Sequence, residues 1–180
     1  MDGSTTIAGI VIPSTSPWFL AVVGVHVVLG LCCVVSGAAA MLMTKRRGRH
    51  STSGTIYFWC LCVIFISATV LSFARWSDDK DLFVLGAVSF AAAFVGRRAA
   101  RRGGAGWATI HVSGMGLSYI VLLTAFYVDN GKSLPLWRDL SPIVYWIAPA
   151  VVGLPLMLWA LLRHPVVLAS RRSDHGEAHP

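Results

Sequence analysis

Three histidines stand in or beside strongly apolar sequence, and each heads a helical stripe of residues that could take part in chemistry. His50, Gly54 and Tyr57 are spaced i, i+4 and i+7, so on a helix one face carries an imidazole, a gap and a phenol. His111 leads a matching face with Met115, Ser118 and Tyr119, and His26 shares a stripe with Gly30, Cys33 and Gly37. A neutral imidazole is a common ligand for metal ions and haem iron, and it also titrates near neutral pH. The cofactors to be weighed are therefore haem b or a transition metal ion held by His26, His50 and His111, with Tyr57, Met115, Ser118 and Tyr119 lining the site. Gly54 is expected to leave a gap where a neighbour can approach closely, and the stripe of Gly30, Cys33 and Gly37 to let a flat cofactor or another helix come close.

The rest of the chain limits that chemistry. All seven aspartates and the single glutamate, Glu177, fall outside the apolar runs. A carboxylate-based proton pump, a di-iron carboxylate bundle and a Ser/His/Asp triad each need an acid that is missing there. The four cysteines, Cys32, Cys33, Cys60 and Cys62, lie within apolar runs without paired zinc-type spacing. They read as small buried hydrophobes, with a soft metal such as copper as the other use of their thiolates. No disulfide framework is expected. His164, His175 and His179 belong to a polar tail and are expected to be solvated.

The elements that must position the histidines follow from composition. Hydrophobic residues make up 56% of the chain and charged residues 13%, with a mean hydropathy of +0.68. That suits a bilayer rather than a water-facing surface. About 20 apolar residues cross the hydrocarbon core, and five runs are read as spans: residues 18–43, 56–73, 82–95, 107–128 and 143–162. The predicted fold is an all-α membrane protein, a bundle of five transmembrane helices over 18–162. Residues 1–17 form an extracytoplasmic segment without the basic start of a signal peptide. Residues 163–180 form a cytoplasmic tail, expected to be partly disordered. Pro149 and Pro155 predict a kink in the fifth helix.

The net charge of +7 sits in short clusters between spans, so it reads as a topology signal and not as a nucleic-acid surface. Loops one and three and the tail carry eleven Lys and Arg, against four on the other side (Arg75, Lys80, Lys132, Arg138). This places the N-terminus outside and the C-terminus in the cytoplasm. Trp18, Trp76, Trp107, Trp137 and Trp159 fall near span ends as an aromatic belt. An impermeant thiol reagent applied from outside should label Asp79→Cys and miss Gly48→Cys, and the reverse pattern would overturn the orientation.

With span ends set at the membrane face, His26 lies about 25 Å above that face and His111 about 6 Å deep at 1.5 Å per residue, with His50 at the surface. His50 and His111 are therefore expected to approach one another, and His26 to face other partners, with Ser67, Thr124 and Tyr145 at its level. Ser36-Gly-Ala-Ala-Ala is echoed by Ser89-Phe-Ala-Ala-Ala, each followed by basic residues and a histidine-headed helix. This suggests a two-helix internal repeat about an axis along the membrane normal.

His26 with Gly30, the basic loop, HSTSGTIY at His50 to Tyr57 and HVSGMGLSY at His111 to Tyr119 resemble the uncharacterised bacterial multi-pass membrane proteins grouped as domain of unknown function family 2306. The resemblance covers residues 23–128. It departs at Ser51, where that family often has Arg, which bears on any phosphate or propionate contact there. It implies a bacterial inner-membrane protein and carries no activity. The functions to be weighed are a cofactor-binding redox protein, loosely similar to transmembrane b-type cytochromes, and a non-enzymatic subunit, assembly factor or small transporter. A third is a zinc-dependent membrane hydrolase using His50, His111 and another ligand. The partners are the lipid bilayer and either copies of itself or other membrane subunits.

Overall fold

A computed structural model describes residues 5–7, 10–12, 17–43, 48–74, 76–163, 165 and 167–169. The protein is an all-α, multi-pass membrane protein with five helices long and apolar enough to cross a bilayer. They are α1 (Pro17–Leu42), α2 (Arg49–Ala74), α3 (Trp76–Arg102), α4 (Trp107–Asn130) and α5 (Pro142–Arg163). A short antiparallel hairpin precedes them, β1 (Thr5–Ile7) and β2 (Ile10–Ile12), pairing Thr5 with Ile12 and Ile7 with Ile10. The hairpin is an addition to the five expected helices, and its signal is two β-branched runs flanking a pair of residues that includes Gly9.

The helices are longer than the apolar runs. α2 begins at Arg49 rather than at residue 56, which brings His50 into its first turn. α3 takes in residues 77–81, expected as a loop, and continues to Arg102. Asp79 and Asp81 near its start and Arg101 and Arg102 at its end complement the helix dipole, so charge favours extension beyond the apolar core at both ends. α1, at 26 residues, is about 39 Å long and overhangs a ~30 Å core. α5 runs through Pro149 and Pro155, each of which lacks the N–H of a helical bond. Arg75, most of the first basic loop (44–47), His164 and the tail from residue 170 lie outside the described residues.

The helices turn many large apolar side chains outward and bury several small polar ones between them, beside aromatic and aliphatic residues such as Tyr57, Leu61 and Ile64. Val27, Val28 and Leu31 are each more than 60% exposed, whereas Cys33, Ser89 and Ser118 are fully buried. That inversion suits a lipid solvent, in which association comes from close packing and interhelical hydrogen bonds.

The chain forms two compact units, Met1–Gly86 with Asp129–Leu140, and Ala87–Val128 with Ser141–Pro180. In the first, α1 packs on α2. At the α2–α3 turn Phe73 stacks on Trp76 at 5.6 Å, and Phe83 lies 5.8 Å from Trp76. In the second, the C-terminal part of α3 packs on α4 through glycines. A Cβ on Gly114 would lie 2.7 Å from the Ala92 carbonyl oxygen and 2.8 Å from Gly96 Cα. On α4's other contact, Gly116 faces the Met157 side chain of α5.

Candidate histidine sites

His26, His50 and His111 each use Nδ1 to bond an adjacent helix. His50 Nδ1 donates to the Ala40 carbonyl at 2.8 Å, and His111 Nδ1 donates to the Gly96 carbonyl at 3.0 Å. A carbonyl only accepts, so Nδ1 carries the hydrogen in both rings and the neutral ring keeps its lone pair on Nε2. His26 Nδ1 lies 2.8 Å from the Ser67 hydroxyl, which itself donates to the Ile64 carbonyl at 2.9 Å. Ser67 is therefore the acceptor, and His26 has the same tautomer. Ser67 was one of the three partners expected at the level of His26.

A second bond accompanies each of the loop-proximal histidines, and the two helix pairs match. Cys33 Sγ donates to the Tyr57 carbonyl at 3.5 Å, and Ser89 Oγ donates to the Ser118 carbonyl at 2.9 Å. Cys33 precedes Ala40 by seven residues and Ser89 precedes Gly96 by seven; Tyr57 follows His50 by seven and Ser118 follows His111 by seven. Two turns of each helix thus carry a reciprocal pair of bonds, one donor from each side, once in α1–α2 and once in α3–α4. The register differs from the one suggested by the Ser-x-Ala-Ala-Ala echo: Cys33 corresponds to Ser89, three residues from Ser36. The first reading of Cys33 is a small buried hydrophobe. It is buried, and its thiol is also a donor.

The other predicted site residues separate into packing and flank. Tyr57 is buried in the first unit. Ser118 is fully buried and its hydroxyl lies 3.3 Å from that of Ser89, so it serves the α3–α4 contact. Met115 is half-buried, and its backbone nitrogen would be 3.0 Å from a Cβ on Gly96. Tyr119 is half-buried on α4. The indole of Trp107 lies 6.5 Å from the His111 ring. A Cβ at Gly30 or at Gly54 would meet nothing within 4 Å, so among the described residues no neighbouring helix packs against either glycine.

Along α2, His50 and Ser67 are 17 residues apart, about 25 Å at 1.5 Å per residue. His26, bonded to Ser67, therefore cannot share a ligand shell with His50, because metal to imidazole distances are only ~2 Å. Among the described residues there is no group of three or more His, Cys, Asp or Glu able to hold one ion. The four cysteines are free thiols.

If His26 only joins α1 to α2, His26→Ala should cost on the order of 1 kcal/mol, the scale of interhelical hydrogen bonds in bilayers. Unfolding in mixed micelles would measure this. A loss of 4 kcal/mol or more would show that the imidazole does more than pair two helices.

No family model matches the chain, and no curated protein or solved structure matches it.

Proposed function

We propose that the protein is a membrane-embedded redox carrier that binds haem b through imidazole Nε2, with His50 and His111 each a candidate iron ligand on its own helix pair and His26 at a different depth from His50 along α2. The observation that carries this reading is the shared Nδ1–H bond to a fixed acceptor. Ligating histidines characteristically donate their second ring nitrogen in this way, which sets the tautomer and aims the other nitrogen. Haem fits better than a bare ion, because a porphyrin supplies four ligands and asks the protein for only one or two. A catalytic zinc site needs three protein ligands, which the described residues do not bring together. The open space at Gly30 and Gly54, one turn beyond His26 and His50, favours a flat group. When bound, haem would supply one-electron chemistry; the helices supply orientation and an apolar surround.

The test is the purified protein's own spectrum after expression with a haem precursor. A Soret band with dithionite-reducible α and β bands is expected, together with iron in elemental analysis. A colourless, metal-free protein would sink the reading. It would favour a non-enzymatic subunit or assembly factor, a role in which the same three Nδ1 bonds serve helix pairing alone.

A further inference from the structure

Between residues 82 and 128 the chain contains no Asp or Glu, yet Arg97, Arg98, Arg101 and Arg102 crowd the last two turns of α3. At 3.6 residues per turn these four positions span an arc of about 140°, so they share one helix face. Arg97 is half-buried, about 7.5 Å along the axis from Arg102, whereas Arg98, Arg101 and Arg102 are exposed. Like charges at i, i+4 repel, as Arg97 with Arg101 and Arg98 with Arg102 must. The partial negative charge at the end of α3 offsets only part of four guanidinium charges. Among the described residues, Arg98, Arg101 and Arg102 have no ion pair. For Arg98, Arg101 and Arg102 the counter-charge must come from beyond this stretch of chain.

The turn beyond the arginines leaves that face uncovered. Gly103, Gly104 and Gly106 have φ of 66°, 89° and 64°, and a Cβ on any of them would meet nothing within 4 Å. The glycines are there for backbone conformation, and no side chain from this turn screens the arginines. Trp107 follows directly, and indoles settle at headgroup depth. Guanidinium forks bind phosphate oxygens in pairs, and an arginine one turn inside a span can reach outward along its stem.

We propose that the α3 arginine face, Arg97, Arg98, Arg101 and Arg102, is a binding site for the phosphate headgroup of an anionic phospholipid. The site does not depend on which side of the membrane faces the cytoplasm, nor on a bound cofactor.

Native mass spectrometry of the full chain, carried in phosphatidylcholine nanodiscs doped with phosphatidylglycerol, tests it. The wild-type chain should retain phosphatidylglycerol over phosphatidylcholine by about tenfold, the scale of one to two interfacial charges. Arg97→Gln/Arg101→Gln should bring that ratio close to one. Arg98→Gln/Arg102→Gln, which changes only exposed positions and serves if the first variant fails to insert, should lower it severalfold. Lys132→Gln/Arg138→Gln removes the same charge beyond the far end of α4 and should leave the ratio unchanged. Equal retention of the two lipids by the wild type, or equal loss in the Lys132/Arg138 control, would overturn the proposal. So would complete displacement of phosphatidylglycerol by excess inorganic phosphate, since the site would then be one for free phosphate.

Discussion

Gly114→Ala is expected to destabilise the protein by about 3 kcal/mol, the upper end of the usual overpacking cost. The added methyl would sit 2.7 Å from the Ala92 carbonyl oxygen, 2.8 Å from Gly96 Cα and 2.9 Å from Gly96 N. All three are backbone atoms of α3, so no rotamer change relieves the clash and the helices must part. Parting them would also stretch the His111–Gly96 and Ser89–Ser118 bonds, 3.0 and 2.9 Å long. Gly96→Ala should be milder, because its nearest contacts are at 3.0–3.3 Å. Gly116→Ala meets the flexible Met157 side chain and should be milder still. Gly54→Ala, with nothing within 4 Å, should be neutral or slightly stabilising, since Ala is the better helix former. Unfolding of the four variants in the same micelles checks the order. A Gly114→Ala protein as stable as Gly54→Ala would show that α3 and α4 do not meet where these glycines place them.

That contrast marks what was legible in the sequence. Uninterrupted apolar runs fixed the number and placement of the helices, because backbone groups in lipid have no partner outside a helix. Their ends were misjudged where charged residues continue a helix into the interface, as at Arg49 and across residues 77–81: hydropathy falls there while helical bonding does not. The histidines were visible as rare polar residues near or within spans, and helical rise alone put Ser67 at the depth of His26. Gly54, by contrast, was indistinguishable from Gly114. A glycine one turn from a histidine looks the same whether a helix or open space lies beside it, and only the interhelical register separates them. The paired bonds of Cys33 and Ser89 were hidden for a related reason. A thiol and a hydroxyl are interchangeable as donors to a carbonyl but share no letter, so the matching of the two helix pairs appeared only through what those side chains touch.

The same register makes His111→Asn the sharpest expected result at the candidate site. An asparagine amide can place an N–H near the position of imidazole Nδ1 and keep the bond to the Gly96 carbonyl, but it has no nitrogen at the Nε2 position to bind a metal. If His111 is a haem ligand, His111→Asn should insert normally and lose little stability, because span hydrophobicity hardly changes. Its Soret absorbance per protein should nevertheless fall by roughly tenfold, in keeping with losses seen when a metal's ligand sphere is disturbed. His111→Ala should lose the same absorbance and, in addition, on the order of 1 kcal/mol from the missing interhelical bond. Added imidazole should restore part of the band to the alanine variant. His50→Asn should follow the same course against the Ala40 carbonyl, whereas His26→Ala should keep the Soret band, because its ring lies about 25 Å along the helix axis from His50. If His111→Asn and His50→Asn both keep the full band, these imidazoles are helix clasps and the cofactor has other ligands. If His26→Ala strips it as completely as His111→Ala, the ligand lies at the depth of Ser67, and the assignment of His50 and His111 fails.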